Sequence, residues 1–214
     1  MYLSSFRLGD HPEHLVRLIG ARRRVAVIAN AIDEDLGYGA DHRSQAVKAE
    51  VDALAELGLA ADELDLRAYF GDEGGLDAAL EPYGAVWVRG GNTFMLRYAL
   101  RRSGGDDIVA GLVRRDAIVY AGYSAGPCVL APSLRGLEYC DDPDAVVRTY
   151  DAPVVWSGLG LLDHAFVPHV DSPGHPETEL VAVVARHYRE QGVPHTTLRD
   201  GQALVIDGEV TSLV

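Results

Sequence analysis

Short, continuous apolar runs alternate along the chain with longer segments in which apolar residues recur every three or four positions. Continuous runs are typical of strands buried in a parallel sheet, and the longer spacing is typical of amphipathic helices. We predict strands over residues 24–30, 63–66, 84–89, 117–122 and 165–170. We predict helices over residues 43–58, 93–101, 106–114, 125–130 and 177–191, with a further short helix beginning at 77–80.

The end of the chain has a different pattern. Two short apolar runs, 203–206 and 210–214, flank Asp207-Gly208, a dipeptide that favours tight β-hairpin turns. Strands that alternate with helices predict an α/β fold with a mainly parallel central sheet, formed by one domain over residues 1–214. Ligand sites on such sheets lie beyond the carboxyl ends of the strands. We therefore expect the chemistry at the predicted strand ends, which carry Asn30, Gly91, Ser124 and His169.

Composition narrows the class of protein. The 214 residues are 48% hydrophobic and 24% charged, as expected for a globular chain with a sizeable core. A net charge of −13 argues against nucleic acid as the main partner, because phosphate binding needs a basic surface. The sequence has no signal-peptide pattern and no apolar run of the roughly 20 residues that span a membrane. Its two cysteines, Cys128 and Cys140, form no zinc-binding pattern. These features predict a cytoplasmic protein with free thiols and no metal or membrane partner.

The candidate nucleophile lies in residues 122–126, which read Gly-Tyr-Ser-Ala-Gly and match the G-x-S-x-G motif. A predicted strand precedes the motif and a predicted helix follows it, which is the context that a nucleophile elbow requires. The sharp turn projects the serine hydroxyl, and small neighbours avoid a clash inside the turn. We interpret Ser124 as the nucleophile; the alternative is a glycine-rich turn whose serine caps the helix. Cys128, one helical turn further on, is predicted to be a buried core residue.

A serine nucleophile needs a base within hydrogen-bonding reach. His169 follows the apolar run 165–168 at a predicted strand end, which makes it our choice among eight histidines. His175, in the following Gly/Pro loop, is the reserve. These patterns alone do not decide which residue is the acid that orients the base. The candidates are Asp200, at the entrance of the last hairpin, and its competitors Asp141, Asp142 and Asp171.

Three segments together resemble the dipeptidase E family of serine peptidases, which includes the cyanophycinases. They are Arg-Gly-Gly-Asn-Thr-Phe at 89–94, the Ser124 elbow, and Pro-His-Val-Asp at 168–171. The resemblance implies a flavodoxin-like fold, related to the class I glutamine amidotransferases, and a triad in the chain order Ser, His, acid. It also implies an oxyanion hole formed by the backbone N–H groups of Gly91 and Ala125. Asn92 is then a candidate for substrate binding, for capping the next helix, or for both.

The resemblance also bears on the acid. The family's acid near the last strands matches Asp200, and we adopt that residue. A second carboxylate assigned in such proteins, soon after the nucleophile helix, corresponds to Asp141 or Asp142. The choice between these positions therefore rests on the resemblance, with Asp200 preferred.

The resemblance implies a serine exopeptidase that hydrolyses dipeptides or very short peptides without a cofactor, as a monomer or homodimer. Dipeptidase E has Gly-Glu-Thr-Arg after its triad histidine, and the Arg is implicated in recognising an N-terminal Asp. This chain has Glu179 at the Arg position, so we expect it not to be specific for Asp-X dipeptides. Glu179 either faces the substrate pocket or is a solvated residue in a helix's first turn. The alternatives are an amidase or esterase with the same triad, or a binding module with a vestigial site.

Overall fold

A computed structural model describes residues 1–34 and 41–214, except the side chain of Glu73. Seven strands form one sheet in the order β3-β2-β4-β5-β1-β8-β9. The first five strands are parallel, β8 is antiparallel to β1, and β9 is antiparallel to β8. These strands are β1 (Tyr2–Ser4), β2 (Arg24–Ile28), β3 (Ala60–Glu63), β4 (Ala85–Val88), β5 (Val119–Tyr123), β8 (Ala203–Asp207) and β9 (Val210–Leu213). A separate parallel pair is formed by β6 (Ala165–Val167) and β7 (His195–Thr197). The predicted α/β fold with a mainly parallel sheet is confirmed.

Helices cover both faces of the sheet. They are α1 (Glu13–Ile19), α2 (His42–Glu56), α3 (Glu73–Leu80), α4 (Thr93–Arg102), α5 (Gly105–Arg114), α6 (Ala125–Cys128), α7 (Asp144–Tyr150) and α8 (Thr178–Gln191). Strand β2 shows the two layers: Val25 and Val27 belong to one apolar cluster, and Ala26 and Ile28 belong to the other. Alternate residues of a strand point to opposite faces, so a strand buried on both faces is continuously apolar. Within the described residues, no helix is long and apolar enough to cross a membrane.

Two predicted elements need new boundaries, and three elements of the structure were not predicted. The strand predicted at 63–66 lies at 60–63 instead, because Asp65 accepts a hydrogen bond from the N–H of Arg67 and starts a 3₁₀ turn. The helix predicted to begin at 77–80 in fact ends there. Strand β1 and helices α1 and α7 were not predicted. Strand β1 has three residues, which is too few for a periodic pattern.

The predicted strand ends are brought together in two ways: by adjacent strands of the sheet and by a backbone hydrogen bond between two loops. Strands β4 and β5 are neighbours, so the loops that follow them share one edge of the sheet. The chain after β6 does not belong to that sheet, although a single sheet was expected; it is tied to the 198–200 segment by a hydrogen bond from the N–H of Val170 to the carbonyl of Leu198. Asn30 does not join the site. It is fully buried, and its side chain bonds to Asp65 and to the N–H of Leu66.

Candidate active site

The turn that carries Ser124 joins β5 directly to α6. Ser124 has φ 54° and ψ −112°, a left-handed conformation that non-glycine residues rarely adopt and that costs roughly 1–3 kcal/mol. It occupies the N-cap position of α6, yet its side chain makes no capping hydrogen bond. The strained turn therefore presents a half-buried hydroxyl that the helix does not use.

The glycines around Ser124 are needed because the backbones of β4 and β5 lie in close contact there. A Cβ at Gly126 would lie 2.6 Å from the carbonyl oxygen of Val88, and one at Gly122 would overlap with the same oxygen. A Cβ at Gly90 would lie 2.8 Å from the Cβ of Ser124. Only glycine fits at these positions, so the motif spacing has a packing cause.

Two backbone N–H groups lie on the loops beside Ser124. Gly91 has φ 142°, and a Cβ there would lie 2.6 Å from the carbonyl oxygen of Ala31. Ala125 is the first residue of α6, so its N–H has no acceptor inside the helix. Within residues 1–34 and 41–214, neither N–H donates a hydrogen bond. Two unpaired donors flanking a nucleophile are suited to stabilising an oxyanion.

His169 is held by a network of side-chain hydrogen bonds. Its ring is 1% exposed, and its Nδ1 lies 2.7 Å from Oδ1 of Asp200. The hydroxyl of Ser5 donates to the same Oδ1 at 2.8 Å and accepts the backbone N–H of His169 at 2.8 Å. The backbone N–H of Asp200 in turn donates to the hydroxyl of Ser172 at 2.8 Å. These contacts fix the imidazole and the carboxylate relative to each other. Neither Ser5 nor Ser172 was predicted from the sequence.

Among the four candidate acids, Asp200 contacts His169 and the other three are engaged or placed elsewhere. Asp141 accepts the N–H of Thr93 at 2.9 Å, and burial raises the pKa of its carboxyl to about 6. Asp142 pairs with Arg148 at 2.8 Å on the surface, and Asp171 is exposed.

The surroundings of His169 favour a neutral imidazole. Burial lowers its pKa, and His175 acts in the same direction, while the hydrogen bond to Asp200 opposes them. The rings of His169 and His175 are stacked, with centroids 3.6 Å apart and planes 4° from parallel. A neutral ring that donates from Nδ1 to a carboxylate keeps a lone pair on Nε2, which is the form that a general base needs.

One cavity of about 640 Å³ is lined by Gly91, Ser124, His169 and His175. The charged residues on its walls are Arg7, Asp10, Glu50, Arg89 and Glu177. Within the described residues, Ser124 Oγ makes no hydrogen bond to His169, and such bonds often tighten only when substrate binds. The site therefore combines a serine hydroxyl, a histidine paired with a carboxylate, and two unpaired backbone N–H groups.

Two predicted substrate-binding residues do not line this cavity. The Oδ1 of Asn92 caps α4 by accepting the N–H groups of Phe94 and Met95, and its Nδ2 donates to the carbonyl of Asp142 at 2.8 Å. Glu179 is an exposed residue in the first turn of α8. Cys128, as predicted, is a buried core residue.

His169, His175 and Glu177 are near enough to suggest a metal site, since one potential ligand atom from each lies within 4.8 Å of the others. The ring stacking argues against it. Imidazole binds a metal in the plane of its ring, and two parallel planes 3.6 Å apart share no such position. Shared coordination would require one ring to rotate out of the stack.

The sequence is similar to those of known peptidases. The family model described as Peptidase family S51 matches residues 13–214. An uncharacterized peptidase of Listeria innocua, Lin0382, is 29% identical over 166 residues, or 77% of this chain and 74% of that protein. Peptidase E of Streptomyces coelicolor is 32% identical over 179 residues, or 79% of this chain and 65% of that protein.

Solved structures show the same fold. A crystal structure assigned to peptidase E from Listeria monocytogenes EGD-e has a TM-score of 0.77 at 22% identity, covering 100% of this chain and 96% of that chain. A peptidase from an acI-B1 Actinobacterium has a TM-score of 0.70 at 15% identity, covering 100% and 86%. The match of the family model over nearly the whole sequence confirms the resemblance: the chain belongs to peptidase family S51, and it is a serine-type peptidase of the dipeptidase E kind.

Proposed function

We propose that the protein hydrolyses dipeptides or very short peptides with Ser124 as nucleophile, His169 as base and Asp200 as the orienting acid. The observation that carries this proposal is that His169, whose Nδ1 contacts Asp200, lines the same cavity as the strained Ser124 turn. The size of the cavity, about 640 Å³, suits a small ligand better than a folded protein.

In the proposed reaction, Oγ of Ser124 attacks the peptide carbonyl carbon while Nε2 of His169 takes the hydroxyl proton. The N–H groups of Gly91 and Ala125 bind the oxygen that becomes negative. The C–N bond then breaks, and the leaving amine receives the proton from His169, which leaves an acyl group on Ser124. Water repeats the sequence and releases the acid. Asp200 stays ionised throughout and holds the imidazole in the productive tautomer. These steps need no cofactor, so activity should survive EDTA.

A small chamber beside Ser124 has a volume of about 10 Å³, so the side chain of the peptide's first residue must lie in the main cavity instead. Among the described residues, the walls of that cavity carry three acidic residues, Asp10, Glu50 and Glu177, against the two cations Arg7 and Arg89. An acidic side chain there would meet an excess of like charge, whereas a neutral or basic one would not. We therefore propose that Asp-Leu is a poorer substrate than Met-Leu or Arg-Leu, measured as kcat/KM. A clear preference for Asp-Leu would contradict this specificity.

The decisive experiment compares Ser124→Ala with Ser133→Ala, an exposed serine outside the cavity. Ser124→Ala should lower kcat for Met-Leu roughly 10⁵- to 10⁶-fold, because triad members act as a unit. Ser133→Ala should behave like wild type. A fluorophosphonate should label the wild type and fail to label Ser124→Ala.

Three outcomes would contradict the proposal. A folded Ser124→Ala protein with normal turnover would remove the nucleophile assignment. Labelling of Ser124 without hydrolysis of any dipeptide, together with hydrolysis of simple amides or esters, would favour the amidase or esterase alternative. A wild type that neither reacts with the probe nor hydrolyses peptides would favour a binding module.

A further inference from the structure

Among the described residues, three carboxylates line the cavity beside Ser124, and their surroundings differ. Asp10 is exposed. Glu50 is fully engaged: it accepts Nε1–H of Trp87 at 2.8 Å and the hydroxyl of Tyr123 at 2.7 Å, and it lies 3.4 Å from Nε of Arg89. Glu177 is half-buried, and within residues 1–34 and 41–214 its carboxylate has neither a hydrogen bond nor an ion pair.

Glu177 is also the one of these three that borders both the cavity and the small chamber beside Ser124. Its backbone N–H donates to Nδ1 of His175 at 3.2 Å, which fixes the start of α8 against the histidine pair. A carboxylate oxygen of Glu177 lies within 4.8 Å of ring nitrogens of both His169 and His175. Burial raises the pKa of Glu177, since the carboxylate has lost water without gaining a cation.

The covalent geometry of a peptide limits where its amino terminus can be recognised. In the first residue, the amino nitrogen is two bonds from the carbonyl carbon, roughly 2.5 Å away. A charged hydrogen bond adds about 2.8 Å, so the receptor oxygen must lie within roughly 5–6 Å of the carbon under attack. That carbon rests about 3 Å from the serine oxygen in a reactive complex. A receptor must therefore lie beside Ser124 and His169, as Glu177 does.

We propose that Glu177 binds the α-ammonium group of the substrate and so restricts hydrolysis to peptides with a free amino terminus. This inference rests on the proposed function. The ammonium supplies the cation that the carboxylate lacks, and its donors match the unused acceptor oxygens. A peptide with an acetylated amino terminus brings no charge and leaves Glu177 buried and unpaired, which disfavours its binding.

The test measures kcat/KM for Met-Leu and N-acetyl-Met-Leu with wild type, Glu177→Gln and Glu179→Gln. Glutamine keeps the volume of Glu177 and its backbone bond to His175. Glu179 is the matched control, since it lies two residues away on the same helix but is exposed. Wild type should prefer the free peptide. Glu177→Gln should lower kcat/KM for Met-Leu roughly 100-fold, the order expected when one partner of a desolvated charge pair is lost. It should change the acetylated peptide little, and Glu179→Gln should change neither.

The pH profile gives a second readout. For Met-Leu, kcat/KM with wild type should fall as pH rises through the pKa of the peptide's amino group, near 7.7–8.0 for an ordinary α-amine. N-acetyl-Met-Leu should lack this alkaline limb. Equal wild-type rates for the two peptides, or equal losses for both in Glu177→Gln, would overturn the inference. A wild type without activity on any dipeptide would instead overturn the proposed function itself.

Discussion

The two halves of the active site are held by different means. The half that carries Ser124 is fixed by backbone contact, because Gly122 and Gly126 press against the carbonyl of Val88 on the neighbouring strand. The half that carries His169 is fixed by side chains on segments distant in sequence, with Ser5 joined to both His169 and Asp200. Substitution of the glycines that hold the first half should therefore appear mainly as instability, and substitution of the side chains that hold the second half mainly as lost activity.

The largest expected effect tests the base. His169→Ala should lower kcat for Met-Leu roughly 10⁵- to 10⁶-fold, comparable to the loss of the nucleophile, because triad members act as a unit. The exposed His11 provides the control, and His11→Ala should retain wild-type turnover. A His169→Ala protein that keeps substantial activity would show that another residue is the base.

The next effect tests the acid. Asp200→Asn should lower kcat about 10⁴-fold, because the amide no longer selects the tautomer with a free Nε2 lone pair. Asp142→Asn should be nearly neutral, since Asp142 pairs with Arg148 on the surface. Steady-state rates on Met-Leu measure both variants. If Asp142→Asn loses most of its activity and Asp200→Asn keeps it, Asp142 and not Asp200 is the acid.

The backbone-held half should respond through stability. Gly122→Ala should lower the free energy of unfolding by at least about 2 kcal/mol, because the new Cβ overlaps with a strand carbonyl that cannot move aside. In helix α5, a Cβ at Gly111 would find its closest neighbour, an Arg115 nitrogen, 3.4 Å away. Gly111→Ala should therefore be neutral or stabilising. Urea denaturation measures the stability of both variants. Equal midpoints would mean that the Ser124 turn accommodates a Cβ at position 122.

The side-chain network should respond through rate. Ser5→Ala removes the hydroxyl that joins His169 to Asp200, so kcat for Met-Leu should fall roughly 10- to 100-fold, the value of a hydrogen bond to a charged group. The free energy of unfolding should fall by only about 1 kcal/mol, because one buried backbone N–H loses its acceptor. If it falls as far as in Gly122→Ala, the contrast between the two halves is wrong.

The smallest effect concerns the stacked histidine. His175 lowers the pKa of His169, so His175→Ala should raise that pKa. The base acts when neutral, and a higher pKa means that activity is lost earlier as pH falls. The acid limb of the kcat/KM profile should move to higher pH, with turnover near pH 8 only slightly reduced. A limb that moves to lower pH would contradict the effect assigned to His175.

The contrast between the halves also explains what the sequence could predict. The Ser124 elbow is recognisable because backbone packing demands glycine at fixed spacing, whereas Gly91 and Ala125 were assigned through the family resemblance. His169 was found as a strand end, although its strand lies in a separate sheet. Choosing Asp200 needed the family resemblance, since an Asp-Gly pair is also an ordinary turn.

Other features left no signal in the sequence. Ser5 contacts His169, which is 164 positions away in the sequence, and Asp200, which is 195 positions away. No local motif marks this serine. Likewise, the family motif led to the prediction that Glu179 binds substrate, whereas the residue that lines the cavity is Glu177. The single domain, the oligomeric state and the cytoplasmic location stay predictions.

The position of strand β1 has a consequence for synthesis. Strand β1 lies between β5 and β8, so its partners are residues 119–123 and 203–207. A ribosome makes β1 before either partner, so the strand can complete its pairing only after residues 203–207 have emerged. Ser5 follows β1 and Asp200 precedes β8, so the contacts that hold His169 also form only at that stage. With the proposed triad, a nascent chain that already displays Ser124 therefore has no oriented base until Asp200 has been made.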